Sequence, residues 1–162
     1  MSDKVTNVVI AGLGGQGVLT ASDILAEAAF RAGLDVKKAE VHGMSQRGGS
    51  VSTDVRFGRA VLSPMVPPGQ ADFLVVIAAD QVETNRHMLA PGGVLIRPDA
   101  VDPAKLSNAR SLNVALLGVL SRHLDIDVRC WQEAIRSRLA PRLREANLQA
   151  FETGRAAGAR AG

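Results

Sequence analysis

Two segments of the chain concentrate groups able to do chemistry. The first is Gly12-Leu13-Gly14-Gly15-Gln16-Gly17, which has the G-x-G-x-x-G spacing. This spacing matters where a strand ends and a helix begins, because the first turn of a helix presents unpaired N–H groups and a partial positive charge to an anion. In that setting Gly12 would permit the tight turn, Gly14 would let a phosphate approach the backbone, and Gly17 would allow the helix to pack on the sheet. Gly15 and Gln16 lie within the same contact. The spacing alone leaves a second reading open, in which the glycines only let the chain turn tightly inside an α/β core.

The second segment follows Glu40 and Val41: His42, Gly43, Met44, Ser45, Gln46, Arg47, Gly48, Gly49 and Ser50. Arg47 could clamp a phosphate or carboxylate with two parallel hydrogen bonds. His42 could hydrogen-bond an anion or move a proton. Ser45, Gln46 and Ser50 add polar groups among three glycines, while Met44 reads first as packing. A ligand or a neighbouring subunit would use such a loop, and a plain surface loop is the alternative. Glu40 stands at about the distance where a dinucleotide enzyme keeps its ribose-binding acid. The polar loop after it is no ordinary strand-to-helix turn and weakens an NAD reading.

Around these loops the hydropathy pattern places the supporting elements. Val8-Val9-Ile10-Ala11 reads as a buried strand, and Val18, Ala21, Leu25, Ala28 and Ala32 have helical spacing from Gln16 onward. Gly33 ends that helix and residues 34–41 form a second strand. Residues 51–57 alternate apolar and polar, predicting a half-exposed strand near an edge. With a short return at Ala60-Val61-Leu62 they would form a hairpin over 51–62. The stiff run Ser63-Pro64-Met65-Val66-Pro67-Pro68 either exposes apolar groups to a partner or folds back on its own domain. Phe73 to Ala79 is a central strand, 81–89 a short helix, and Val94-Leu95-Ile96 another strand. Helices follow over 112–124 and 128–139. The fold class is α/β: a single Rossmann-like domain with a mostly parallel sheet, a β-hairpin and helices on both faces. The domain is expected to span 1–154, with 155–162 as a disordered tail.

Composition excludes several classes. The chain has 162 residues, which suits one domain with a real core. One cysteine, Cys130, cannot form an internal disulfide, a four-cysteine zinc site or an iron–sulfur cluster, and beside Trp131 it reads as packing. Asp125 and Asp127 read as helix-end or solvated groups. Four Phe, one Trp and no Tyr argue against a base-stacking nucleic-acid binder. No apolar run nears the ~20 residues of a membrane span, and the N-terminus lacks a signal-peptide layout, so a cytoplasmic location is expected. The net charge of +3 comes from residues 129–162, where seven Arg face three acids. This is a charged contact surface at most.

Taken jointly, Gly12-Leu13-Gly14-Gly15-Gln16-Gly17-Val18-Leu19 and Glu40 to Val51 resemble the gamma subunit of 2-oxoacid:acceptor oxidoreductases, the pyruvate, indolepyruvate and phenylglyoxylate type. Ser63-Pro64, Asp72, Asn113 and residues 147–154 agree, and the resemblance covers about 5–154. It implies an enzyme that decarboxylates a 2-oxo acid, with an aryl substrate such as indolepyruvate or phenylglyoxylate preferred. Two electrons pass to an acceptor and the acyl group passes to coenzyme A. It further implies that thiamine diphosphate, Mg and the iron–sulfur clusters lie on partners: catalytic alpha and beta subunits and a ferredoxin-like or other electron-acceptor subunit. Residues 12–17 and 42–50 would contribute to coenzyme A binding or cover the active site, and the chain would be inactive alone. The residues by themselves also admit a small NAD(P)-dependent oxidoreductase or a stand-alone nucleotide-binding module.

Overall fold

The computed structural model of the chain describes residues 3–42 and 49–161. Five strands form one sheet: β1 (Thr6–Leu13), β2 (Asp35–His42), β3 (Ser50–Gly58), β4 (Ala71–Val76) and β5 (Leu89–Ile96). Their order is β2-β3-β1-β4-β5. β1, β4 and β5 run parallel, and β3 is antiparallel to both of its neighbours, so β2 points the same way as β1. The helices are α1 (Val18–Arg31), the single turn α2 (Val82–Asn85), α3 (Leu112–Ser121), α4 (Val128–Arg138) and α5 (Pro141–Ala161).

The continuous apolar run of β1 is explained by burial on both faces. Val8 and Ile10 join Ile24 and Leu25 of α1 and Leu116 and Leu120 of α3 in the main core, whereas Val9 faces a smaller cluster with Val66, Leu74, Val76 and Val82. Alternation along β3 follows the same division. Val55 and Phe57 enter the main core. Asp54 and Arg56 point to the second face, where Asp54 accepts the Val66 N–H at 2.9 Å and Arg56 reaches Asn7 Oδ1 and the Ser63 carbonyl. The 63–68 run therefore folds back on its own domain and buries Val66, although Leu62 (95% exposed) and Met65 remain in solvent.

Two expectations about this region are corrected. β3 is an interior strand, not an edge, and residues 60–62 add no returning strand. The hairpin of the fold is β2–β3, in full register from Asp35↔Gly58 to His42↔Val51. The polar side of β3 resembled solvent exposure because its groups are satisfied by a covering backbone segment rather than by water. The helix expected over 81–89 stops at Met88, and Leu89, Pro91, Gly92 and Gly93 lie inside β5. A Cβ on Gly93 would come within 2.8 Å of the Ala71 carbonyl of β4. Glycine thus permits close strand approach, and the edge position tolerates the proline.

Residues 155–161 are not a disordered tail; they continue α5. Gly118 of α3 and Gly154 of α5 face each other so closely that a Cβ on Gly154 would sit 1.7 Å from the Ala115 carbonyl. The small residues that looked like low complexity let two helix backbones touch. Arg155 then donates to Ser121 Oγ at 3.0 Å, and Ala157 packs on the core. Trp131 and Phe151, both fully buried with centroids 5.6 Å apart, tie α4 and α5 beneath α3. Asp127 caps α4 by accepting the Arg129 N–H, and Cys130 is a half-buried packing residue.

Candidate functional site

α1 leaves β1 towards one face of the sheet, while the segment after β4 turns to the other. β1 and β4 are adjacent and parallel, so the crevice at their carboxyl ends is a topological switch point, where open α/β sheets bind ligands. The glycine loop occupies it. Gln16 folds back so that its Oε1 accepts the Leu13 N–H at 2.8 Å and its own N–H reaches the Leu13 carbonyl. The helix starts at Gly17, in the left-handed region at φ 80, with no side-chain cap on the N–H groups of the first turn.

The glycines divide their work differently from the sequence expectation. A Cβ on Gly12 would meet Gln16 Oε1, Val18 and Ile77 within 3.3 Å, so Gly12 provides the close packing of loop, helix and β4. Gly14 is not the open point, because its N–H donates to the Gly49 carbonyl at 2.9 Å. That bond joins the glycine loop to the end of the polar loop. Ser50 pairs with Leu13 in the β1–β3 ladder, and Val51 pairs with both Gly12 and His42. Gly15, at φ 87 with open space around it, is where a ligand can approach the backbone. Gly17 is fitted against Asn113 rather than against the sheet.

Gly49 lies just before β3 and Ser50 opens it, so the structure brings these two beside the glycine loop, whereas His42, the last residue of β2, pairs with Val51 and is one strand farther away. Gly43, Met44, Ser45, Gln46, Arg47 and Gly48 lie outside the described residues. Glu40 does not serve the glycine loop as a ribose-binding acid. β3 lies between β2 and β1, which puts two strand spacings, about 10 Å, between them. Glu40 instead pairs with Lys38 at 3.6 Å. This argues against the NAD reading.

Two cavities flank the loop. One of about 260 Å³ lies between Gly14, Leu19 and Val51. The other, about 530 Å³, lies between Gly15-Gln16-Gly17, Ile77 and the start of α3 at Arg110, Leu112 and Asn113. A larger cavity of about 670 Å³ lies at the opposite end of the strands, near Lys4, Asp72 and His123. It has neither the glycine loop nor a helix N-terminus, so the switch point is the better site despite its smaller volume. The sequence singles out Asn113 only as one of the residues that agree with the family resemblance, with no link to the glycine loop, and does not point to Arg110 at all. They flank the start of an apolar helix after an irregular stretch, and nothing local points from them to a loop almost a hundred residues earlier.

On the second face, Asp54 borders an apolar cleft of about 350 Å³ with Val9, Val41, Met65 and Met88. Burial raises its pKa, partly offset by the Val66 N–H and by the nearby Arg56 charge. Among the described residues no three His, Cys, Asp or Glu side chains gather as a metal-binding group.

The chain matches the family model described as pyruvate ferredoxin/flavodoxin oxidoreductase over residues 7–104. It is 36% identical to the indolepyruvate oxidoreductase subunit IorB of Thermococcus kodakarensis, across 93% of this chain and 95% of that one. The chain belongs to the pyruvate ferredoxin/flavodoxin oxidoreductase family. The family match includes the glycine loop, the polar loop and all five strands. The fold also matches the gamma subunit of a keto/oxoacid ferredoxin oxidoreductase from Geobacter sulfurreducens, with a TM-score of 0.83, 22% identity and 98% of both chains covered. A 2-oxoglutarate:ferredoxin oxidoreductase from Magnetococcus marinus, solved with 2-oxoglutarate, coenzyme A and succinyl-CoA bound, matches at TM-score 0.80 and 22% identity. The match covers 98% of this chain but 32% of that one. There the same fold is one part of a longer polypeptide. No helix among the described residues is long and apolar enough to cross a membrane.

The switch point offers an open glycine backbone at Gly15, an uncapped helix N-terminus and a buried polar atom without a partner, Asn113 Oδ1. The open backbone and the helix N-terminus fit the phosphates of a phosphorylated ligand.

Proposed function

We propose that this chain is the gamma-type subunit of a 2-oxoacid:acceptor oxidoreductase and that it contributes to coenzyme A binding. The whole enzyme converts a 2-oxo acid, coenzyme A and oxidised acceptor into acyl-CoA, CO2 and two-electron-reduced acceptor. An aryl 2-oxo acid such as indolepyruvate is the favoured substrate, in keeping with the 36% identical relative. Catalytic alpha and beta subunits and an iron–sulfur or other electron-acceptor subunit complete the complex. Thiamine diphosphate with Mg on those subunits supplies the carbanion chemistry of decarboxylation, and their clusters carry the electrons.

This chain's residues bind and orient. Gly15 and the first turn of α1 present backbone N–H groups to an anion, and the Gly14–Gly49 bond ties the end of the second segment, at Gly49, to the glycine loop. Arg47, with His42, Ser45, Gln46 and Ser50, supplies further contacts to coenzyme A or shields the reacting centre from water. Gly12, Gly17, Gly43, Met44, Gly48 and Gly49 shape the two loops. The observation that carries the reading is the contact of Gly49 and Ser50 with the glycine loop at the switch point, in a chain of this family.

Co-expression with the partner subunits tests it. The expected outcome is a complex that forms acyl-CoA from an aryl 2-oxo acid with reduction of an acceptor, while the isolated chain does neither. In that complex Arg47→Ala should raise the KM for coenzyme A about tenfold or more and leave the KM for the 2-oxo acid nearly unchanged. A rise confined to the 2-oxo acid would move the polar loop away from coenzyme A.

A further inference from the structure

The cavity of about 670 Å³ near Lys4, Asp72 and His123 shares no residue with either loop. It opens at the far end of the strands from the glycine loop, roughly 25 Å away at ~3.3 Å for each residue of β1. Its volume suits a small molecule, and its make-up is that of a ligand pocket, with an apolar floor and a few polar groups converging on it. Phe57, Phe73, Leu34 and Ile126 form the floor, and the His123 ring lies against Phe73 with centroids 5.6 Å apart. At the mouth, Gly33 and Gly92 expose bare backbone, with nothing within 4 Å of where a Cβ would stand.

Two cations and two carboxylates line the same space, and they differ in how far they are already engaged. Asp72 is engaged on both oxygens: one accepts the Asn7 N–H at 2.8 Å and the other holds Lys4 at 3.3 Å. Arg59 reaches Asp3 at 3.4 Å with both side chains mostly in solvent, a contact worth little. Asp125 is exposed and has no side-chain partner among the described residues. An available cation and an available anion thus share one cavity above an apolar floor. A phosphate would face both carboxylates with no helix N-terminus to offset them. A plain carboxylate would leave Asp125 beside it unanswered, and a plain amine would meet Lys4 and Arg59. A zwitterion answers both signs.

We propose that this cavity binds an α-amino acid with an apolar side chain. Arg59 clamps the α-carboxylate with two parallel hydrogen bonds and Lys4 adds a second positive charge. Asp125 takes the α-ammonium group, and the side chain lies on Phe73 and Phe57. This site goes beyond the coenzyme A reading and does not depend on it, because none of its groups belongs to the glycine loop or the polar loop.

Calorimetric titration of the full chain with L-phenylalanine, L-leucine, phenethylamine, 3-phenylpropionate and glycine tests the site. The first two should bind. Phenethylamine lacks the carboxylate, 3-phenylpropionate lacks the ammonium group and glycine lacks the side chain, so each should bind about tenfold more weakly or worse. Arg59→Gln and Asp125→Asn should each lower the affinity for L-phenylalanine about tenfold. Both side chains are exposed, so both variants should keep the parental Tm without ligand. Arg59→Lys should recover part of the loss seen in Arg59→Gln. Absence of binding by both amino acids, binding of phenethylamine or 3-phenylpropionate as tight as that of L-phenylalanine, or parental affinity in either Arg59→Gln or Asp125→Asn would each overturn the proposal.

Discussion

Gly17 carries two constraints at once. Its φ of 80 is a conformation L side chains rarely adopt, and a Cβ there would lie 2.4 Å from Asn113 Nδ2. Gly17→Ala should therefore cost about 1–3 kcal/mol in urea unfolding, more than an ordinary surface glycine. Gly15 shares the left-handed backbone but has no crowding, so Gly15→Ala should cost less than Gly17→Ala. Asp54 tests burial rather than backbone. Its folded pKa is raised, first by desolvation, so the folded chain holds that proton more tightly than the unfolded chain does. Its contribution is fully present below the ordinary carboxylate pKa and is lost as pH rises through the raised value. Asp54→Asn has no such titration and keeps an oxygen for the Val66 N–H. Denaturation from pH 3 to pH 8 should show the variant gaining stability relative to the parent as pH rises; a gain at low pH instead would reverse the sign.

The element most at odds with its sequence signature is α5. Glycine and alanine near the end of the chain suggested a solvated tail, but Gly154 packs on Ala115 and Gly118, and Gly158 packs on Val119 and Arg122. Removing residues 155–162 should cost about 1–2 kcal/mol through lost burial and the Arg155–Ser121 hydrogen bond, a fall in Tm of roughly 2–8 °C. An unchanged Tm would restore the tail reading. Gly154→Val should be more damaging than the truncation, because the added atoms enter α3's backbone and force the two helices apart.

At the scale of the whole molecule, the placement of β3 governs the site. Hydrogen exchange should reveal it: amides of β1, β3 and β4 should be the last to exchange, and those of the edge strands β2 and β5 earlier. A β3 that exchanged as fast as β2 would contradict the strand order. This insertion joins the two loops. Had β2 lain beside β1, the polar loop and Glu40 would have flanked the glycine loop as in a dinucleotide enzyme. With β3 between them, Gly49 meets Gly14, Ser50 meets Leu13, and Glu40 is a strand farther away.

The sequence by itself determined the buried strand at residues 8–11, a second one expected over 73–79 that stops at Val76, the helix after the glycine loop, the helices α3 and α4 and the two loops as the unusual segments. Each of these is a local pattern of burial period, turn chemistry or residue type. Only the tertiary structure decided that β3 is interior, that α5 extends to Ala161, and that Arg110 and Asn113 wall the crevice. Strand pairing, helix-backbone contact and the approach of Asn113 to Gly17, 96 positions apart, depend on groups distant in the chain. A polar side chain reads the same in sequence whether water, a covering strap or a ligand satisfies it.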